Sequence, residues 1–255
     1  MNTAIIPKFL KPQQSDRLIR IGRNFDGGYL IDERDLEKTR LLISLGVNED
    51  WSFEKQFTAR HRIPVYAYDA TLNLKYLVRR AWRSILRLNP IYIARSFSAL
   101  VDYPVFFSGR NKHIPKYVGL RTAGYTTLAA VIEEATKATD VDNGIFLKID
   151  IEGWEYRLLD EVVAIADKMT GLAIELHDVD LHLDKLEKFV KAFSLKLVHL
   201  HVNNYSPINA NGIPLAIECT FTSSPSSESI EIKLPHPLDM PNKRNKEGYT
   251  TTFLD

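Results

Sequence analysis

Residues 147–155 read Leu-Lys-Ile-Asp-Ile-Glu-Gly-Trp-Glu. A short apolar run, Ile145–Ile149, ends in Asp150. Gly153 then breaks the pattern, and helical spacing begins at Trp154. Strand, acidic tip, turn and helix is how an open α/β sheet presents a carboxylate at the carboxyl ends of its strands, where ligands bind. Asp150, Glu152 and Glu155 crowd that turn with only Lys148 beside them. A purely structural turn has no use for so much charge.

Two histidines extend the set. His177 closes the segment Ala-Ile-Glu-Leu-His-Asp at 173–178, and His201 lies in Leu-Val-His-Leu-His-Val-Asn-Asn at 197–204. Strand alternation puts His199 and His201 on one face, with Asn203 following. Asp150, His177 and His201 thus end three successive strands and can converge. A neutral imidazole near pH 7 suits a general base. One carboxylate and two imidazoles also form a ligand set for a metal. The base reading leads, because loop spacing fixes no coordination geometry.

Three further segments carry candidate residues. In Leu45-Gly46-Val47-Asn48-Glu49-Asp50-Trp51-Ser52 a strand runs into a glycine turn and a helix start, which offers backbone N–H groups to a ligand. It matches neither a dinucleotide fingerprint nor a phosphate loop, and an ordinary βα turn is the competing reading. Asp69 ends the apolar run Pro64–Tyr68, 23 positions after Gly46. That is near the roughly 20-residue offset of an acid that accepts hydrogen bonds from ribose hydroxyls. Asp26-Gly27-Gly28-Tyr29 reads as a hairpin turn or as a lid over a ligand.

The elements that must hold these residues alternate. Strands are expected at 41–45, 64–68, 103–107, 145–149 and 172–176, with a closing pair at 195–202 and 215–222. Helices are expected at 51–61, 72–88, 126–138, 154–168 and 181–193. Ser52 or Asp50 is available to cap the first helix, and Thr126 or Thr127 the third. The fold class that follows is α/β, a mainly parallel sheet with helices on both faces. One domain over residues 1–255 is expected. It comprises an N-terminal extension at 1–39, a basic helical insertion at 70–121 and an irregular tail at 223–255.

Composition sets the outer bounds. The 255 residues are 45% hydrophobic and 25% charged, as in a soluble globular domain. No 18-residue apolar run or signal peptide is visible, and the expected compartment is the cytosol. The lone Cys219 builds neither a disulfide framework nor a thiolate metal site. Between Asp69 and Glu133 the only acid is Asp102, against Lys75, Arg79, Arg80, Arg83, Arg87, Arg95, Arg110, Lys112, Lys116 and Arg121. Such a face favours an anionic partner. The expected partner is an anionic small molecule. Nucleic acid is not expected, since no known binding motif accompanies the charge. Helix 72–88 leaves contact with a membrane surface open, although a solvated amphipathic helix is the simpler reading.

Taken together, Gly46, Asp69 and Leu147–Glu155 resemble S-adenosylmethionine-dependent methyltransferases, the FkbM-type family above all. Its Lys-hydrophobic-Asp-hydrophobic-Glu-Gly-x-Glu hallmark is similar to Lys148–Glu155. Asp26–Tyr29, Asp69, Glu175–Asp178 and His201–Asn204 occupy the places of further family segments. At the glycine turn Gly46-Val47-Asn48 stands where a Gly-Ala-Asn-like segment is expected. The resemblance implies a Rossmann-like methyltransferase fold with a closing antiparallel strand. It implies O-methylation of a sugar, a nucleotide-sugar or other phosphorylated glycan, with a lipid or natural-product hydroxyl as the alternative. A binding protein that keeps the fold without catalysis is the third reading.

The implied cofactor is S-adenosylmethionine, held by Gly46, Asn48, Asp50, Ser52, Asp69, Ala70 and Asp150, and a divalent metal is not expected. Asp69 would meet the ribose, and the loop from Gly46 to Ser52 the amino-acid part. His177 is the implied base, with Asp150 and His201 orienting it or the substrate. Asp26, Tyr29, Glu152, Asn203 and Asn204 are the implied substrate contacts.

Overall fold

A computed structural model describes residues 3–13, 15–86, 88–226 and 234–254. Arg87 of the basic stretch and 227–233 of the tail lie outside them. Seven strands form the central sheet. In chain order they are β4 (Leu41–Leu45), β5 (Val65–Tyr68), β6 (Lys112–Ile114), β9 (Ile145–Ile149), β10 (Met169–Leu176), β11 (Lys196–Val202) and β12 (Ile217–Thr222). Their spatial order is β11-β12-β10-β9-β4-β5-β6. All neighbouring pairs are parallel except those made by β12, which runs antiparallel between β10 and β11. The expected Rossmann-like methyltransferase fold with an antiparallel closing strand is the one formed.

Period-two alternation builds the two core layers. Leu41, Ile43 and Leu45 of β4 face a core that includes α5 (Leu128–Thr139), α6 (Leu159–Ala164) and α7 (Leu183–Ala192). Leu42, with Val65, Ala67, Phe146 and Ala173 of neighbouring strands, faces Phe53 and Phe57 of α2 (Ser52–Arg60) and Leu77 of α3 (Leu74–Leu86). The second layer also takes Tyr29 and Ile31 from the hairpin of β2 (Leu18–Gly22) and β3 (Gly28–Asp32), which precedes α1 (Glu33–Lys38). The expected hairpin turn is residues 23–27, which takes in Asp26 and Gly27, while Gly28 and Tyr29 already belong to β3.

The remaining elements correct several expectations. Residues 103–107 are not a strand. They end α4 (Pro90–Phe106), a helix that starts on an Asn89 cap, and the edge strand is β6. A short apolar run cannot tell strand from helix, and here the aromatic rings of Tyr103 and Phe107 pack on Trp51 and His113. The expected insertion is thus helical only through α3 and α4. It continues into β6 and β7 (Tyr117–Val118), which pairs with β8 (Tyr125–Thr126). The helix expected at 154–168 is α6 flanked by short 3₁₀ turns at Glu155–Arg157 and Ala166–Lys168. Thr127 caps α5 as expected, accepting from the Ala130 N–H at 3.2 Å. The tail is not wholly irregular. It ends in β13 (Thr250–Leu254), which runs parallel to β1 (Thr3–Pro7) in full five-residue register. Among the described residues no helix is long and apolar enough to cross a membrane.

Candidate functional site

β4 sits between β5 and β9, so consecutive connections leave it in opposite directions and open a crevice at the carboxyl ends. Gly46 lets the two sides of that crevice close up. Its φ is +78°, and a Cβ there would lie 1.6 Å from the carbonyl oxygen of Asp150. Lys148 holds the turn by donating to the Gly46 carbonyl at 3.0 Å.

Sheet register then sets a polar row on the face toward α2 and the β2–β3 hairpin. Lys148 pairs with Ser44 and Ala173, Glu175 with Glu218, and Glu218 with His201. Asp150 and His177 follow two residues after Lys148 and Glu175, on the same face. The Tyr29 hydroxyl donates to Asp150 Oδ2 at 3.2 Å and reaches Glu175 Oε2 at 3.5 Å. Asn203 donates to Glu175 Oε1 at 2.6 Å. His177 Nδ1 lies 3.1 Å from Glu155 Oε1, and its Nε2 lies 3.6 Å from Glu152 and 3.7 Å from Glu175. Glu155 is fully buried and also accepts from the Ile151 and Gly153 N–H groups, so it is fixed before it meets the imidazole. Glu152 holds the turn open with a left-handed backbone, φ +55°.

Burial and mutual repulsion govern the protonation of this cluster. Burial pushes the Asp150 and Glu175 carboxyls up, and burial keeps the Tyr29 phenol a donor. Burial works to lower both cations, yet neighbouring carboxylates win. Lys148 sits above its ordinary value through Glu54 and Asp150. His177 rises to about 9 through its hydrogen bond to Glu155, then the charges of Glu155, Glu175 and Asp150.

A cavity of about 900 Å³ opens over this row, between the β4–α2 loop, the hairpin turn and α4. Of the expected residues it brings together Asp26, Asn48, Asp50, Ser52, Asp150, Glu152, His177 and Asn203. Gly46 and Tyr29 stand behind its wall. Four others do not reach it. Both carboxylate oxygens of Asp69 are taken by its own neighbourhood. Oδ2 accepts from the Val47 and Asn48 N–H groups at 3.0 and 2.6 Å, and Oδ1 accepts from the Thr71 and Leu72 N–H groups and the Thr71 hydroxyl. Asp69 thus fastens the glycine turn rather than offering acceptors to a ribose, and Ala70 does not line the cavity. His201 Nε2 meets Asn242 Oδ1 at 3.0 Å and its Nδ1 lies 3.5 Å from Asp239, so it anchors the C-terminal segment. Asn204 does likewise, donating to the Lys243, Lys246 and Glu247 carbonyls and accepting from the Lys243 N–H.

Glu175, Lys148 and Glu155 are central residues to which the sequence reading gave no role. Alternation carried the signal for two of them, since 175 and 148 share a face with 177 and 150. Glu155 belongs to the acidic turn of the sequence, and its pairing with His177 becomes visible only when that turn folds back. The Asp150, Glu175 and His177 ligand atoms lie within 4.8 Å of one another and could hold a divalent cation. A cation there must displace the proton that His177 holds below a pH of about 9.

No family model and no curated protein matches the chain. Among solved structures it is similar to the 16S rRNA (adenine(1408)-N(1))-methyltransferase from Catenulisporales acidiphilia, at 8% identity over 82% of this chain and 100% of that one, with a TM-score of 0.36. It is also similar to the Methanococcus jannaschii fibrillarin pre-rRNA processing protein, at 11% identity over 74% and 68%, with a TM-score of 0.37. A third is the METTL16 methyltransferase domain, at 7% identity over 74% and 61%, with a TM-score of 0.38. These descriptions correct one expectation about partners. The exclusion of nucleic acid, and with it the anionic nucleotide-sugar or phosphorylated glycan, does not stand beside matches described by rRNA and pre-rRNA.

Proposed function

We propose that this chain is an S-adenosylmethionine-dependent methyltransferase that methylates an oxygen of its acceptor, as the FkbM-type resemblance of residues 148–155 implies. One observation carries the reading. At the sheet's switch point a cavity lined by more carboxylates than cations meets an imidazole that a fully buried carboxylate holds in place. The donor, when bound, supplies a methyl group on a positively charged sulfur. Asp50, Asp150 and Glu175 suit that charge. The loop from Asn48 to Ser52 and the start of α2 suit the donor's amino-acid part. The ribose must be met by groups other than Asp69.

The protein's own part is positioning and proton transfer. Glu155 takes the Nδ1 side of His177, so Nε2 is the nitrogen that accepts the acceptor's hydroxyl proton. The same carboxylate then stabilises the imidazolium. Tyr29 and Asn203 hold Asp150 and Glu175 in place by hydrogen bonds.

Calorimetric titration with the donor and with its demethylated product tests the reading. Both should bind, and Asp150→Asn should weaken the positively charged donor by roughly tenfold, about 1.4 kcal/mol, and the product with its uncharged sulfur less. Absence of binding at roughly millimolar donor refutes it.

The pH dependence follows from the imidazole. A base must be neutral, so kcat/KM should rise with pH and level off above an apparent pKa of about 9. Glu155→Gln removes the charge that raises His177, so the limb should move to lower pH. A limb that stays in place in Glu155→Gln would show that another group titrates.

A further inference from the structure

We infer that the hairpin of α3 and α4 docks this protein onto an anionic lipid surface. Among the described residues, ten of the fifteen exposed large hydrophobic side chains lie between Leu74 and Val105. Trp82 is 69% exposed, Leu86 83%, Leu88 84%, Ile91 68%, Val101 67% and Val105 68%. Monomeric proteins scatter such residues singly, and a contiguous patch marks an interaction surface. The spacing 74, 78, 82, 86 on α3 and 97, 101, 105 on α4 places each set on one helix face. The water-facing side of α3 is partly apolar.

Charge selects the occupant. The hairpin's only acid is Asp102, and its oxygens are taken by Trp51 Nε1 at 2.6 Å and Lys55 Nζ at 2.7 Å, toward the body of the fold. Arg80 also turns inward, to Glu49 at 2.6 Å. Lys75, Arg79 and Arg83 remain exposed, and among the described residues no ion pair to a carboxylate is formed by any of them, while Arg95 lines the cavity. A second copy of the chain seated face to face would press these cations together. A bilayer with anionic headgroups receives both features at once, the apolar side chains below the headgroups and the cations among them. Trp82 is the residue type that favours that boundary. With no membrane-spanning helix among the described residues, the contact lies on the surface rather than through it. Ala94 and Ser98, which run on to Val101 and Val105 in steps of three and four and so share the same stripe of α4, line the cavity. Docking therefore places the cavity close to the lipid.

The inference stands apart from methyl transfer, because its test needs no donor. The full chain is sedimented with phosphatidylcholine vesicles and with vesicles that also contain phosphatidylglycerol. It should pellet with the anionic vesicles only, and salt should release it. The double variants Arg79→Glu/Arg83→Glu and Trp82→Ser/Leu86→Ser should each lower apparent affinity roughly tenfold or more. Unchanged thermal unfolding should show that both variants are folded. Failure to pellet with anionic vesicles overturns the inference. So does a dimer in solution that Trp82→Ser/Leu86→Ser dissociates. Binding to RNA that is lost with the charge-reversal pair but kept with the apolar pair, in a protein indifferent to vesicles, assigns the face to nucleic acid instead.

Discussion

Replacing His177 with glutamine should lower kcat by roughly 10²–10⁴-fold while donor affinity changes little. Among the described residues at the rim of the cavity, the imidazole is the one group that offers a free basic nitrogen above a pH of about 9 and is also oriented by a second group. Glu155 is the orienting group. It is fully buried, and backbone N–H groups of the 150–155 turn fix it independently of His177. Glutamine preserves a polar tip of similar reach and removes only the basic nitrogen. The loss should therefore fall on kcat rather than on donor binding. Single-turnover rates with saturating donor, beside calorimetric affinity, separate the two. A kcat within a few-fold of the parent protein would remove His177 from the chemistry and pass the role to Asp150 or Glu175. Their carboxyls burial has already pushed up.

The second large effect concerns stability. Asp239→Asn should cost about 3–5 kcal/mol and lower Tm by roughly 10 °C. Asp239 lies between two buried imidazoles, 2.9 Å from His199 Nε2 and 3.5 Å from His201 Nδ1, and accepts from the His236 N–H at 2.7 Å. Asn242 completes the group, with Nδ2 donating to Glu218 at 2.5 Å. Burial alone would raise the Asp239 carboxyl, but His199 and His201 outweigh it and hold it well below the usual carboxylate range. Burial would likewise lower His201. Its hydrogen bond to Asp239 and the charge of Glu218 raise it instead to about 9.

The signs fix the pH window. A raised histidine stabilises fully below its unfolded value of about 6.5 and loses that contribution as pH climbs through about 9. The depressed carboxyl stabilises above about 3.9 and loses its contribution as pH falls. Thermal unfolding should therefore show the largest gap between parent and variant near neutral pH. The gap should close as pH rises through about 9. Equal Tm values at neutral pH would mean that the C-terminal segment is held by something else.

The strands that carry the site were legible because each is a short apolar run ended by a marker. Leu41–Leu45 stops at Gly46, Val65–Tyr68 at Asp69, and Ile145–Ile149 at Asp150. His177 and the acids of the 150–155 turn could be placed because strand alternation and strand ends are local properties. Asp69 was legible in position and misleading in use. Its Oδ2 is claimed by backbone N–H groups of a loop more than twenty residues away, and those groups leave no mark in side-chain identity. His201 shows the same limit. Its strand face was correctly read, but the partner that claims it, Asp239, comes from a tail without periodicity. Residues 103–107 were misread because five apolar residues serve an α-helix end as well as a strand. The exposed side chains of α3 and α4 could not be foreseen at all. Helical spacing shows that one stripe is apolar and leaves open whether anything covers it.

The parallel pairing of β1 with β13 also has a mechanical consequence. Tension applied at Thr3 and at Leu254 draws the two strands lengthwise past each other, because they point the same way and are gripped at opposite ends. The ladder between Thr3–Pro7 and Thr250–Leu254 is then loaded in shear, with its bonds sharing the force, instead of peeling open one rung at a time. In a single-molecule pulling trace this short sheet would act as a clasp, taking the load before the seven-stranded core is stretched.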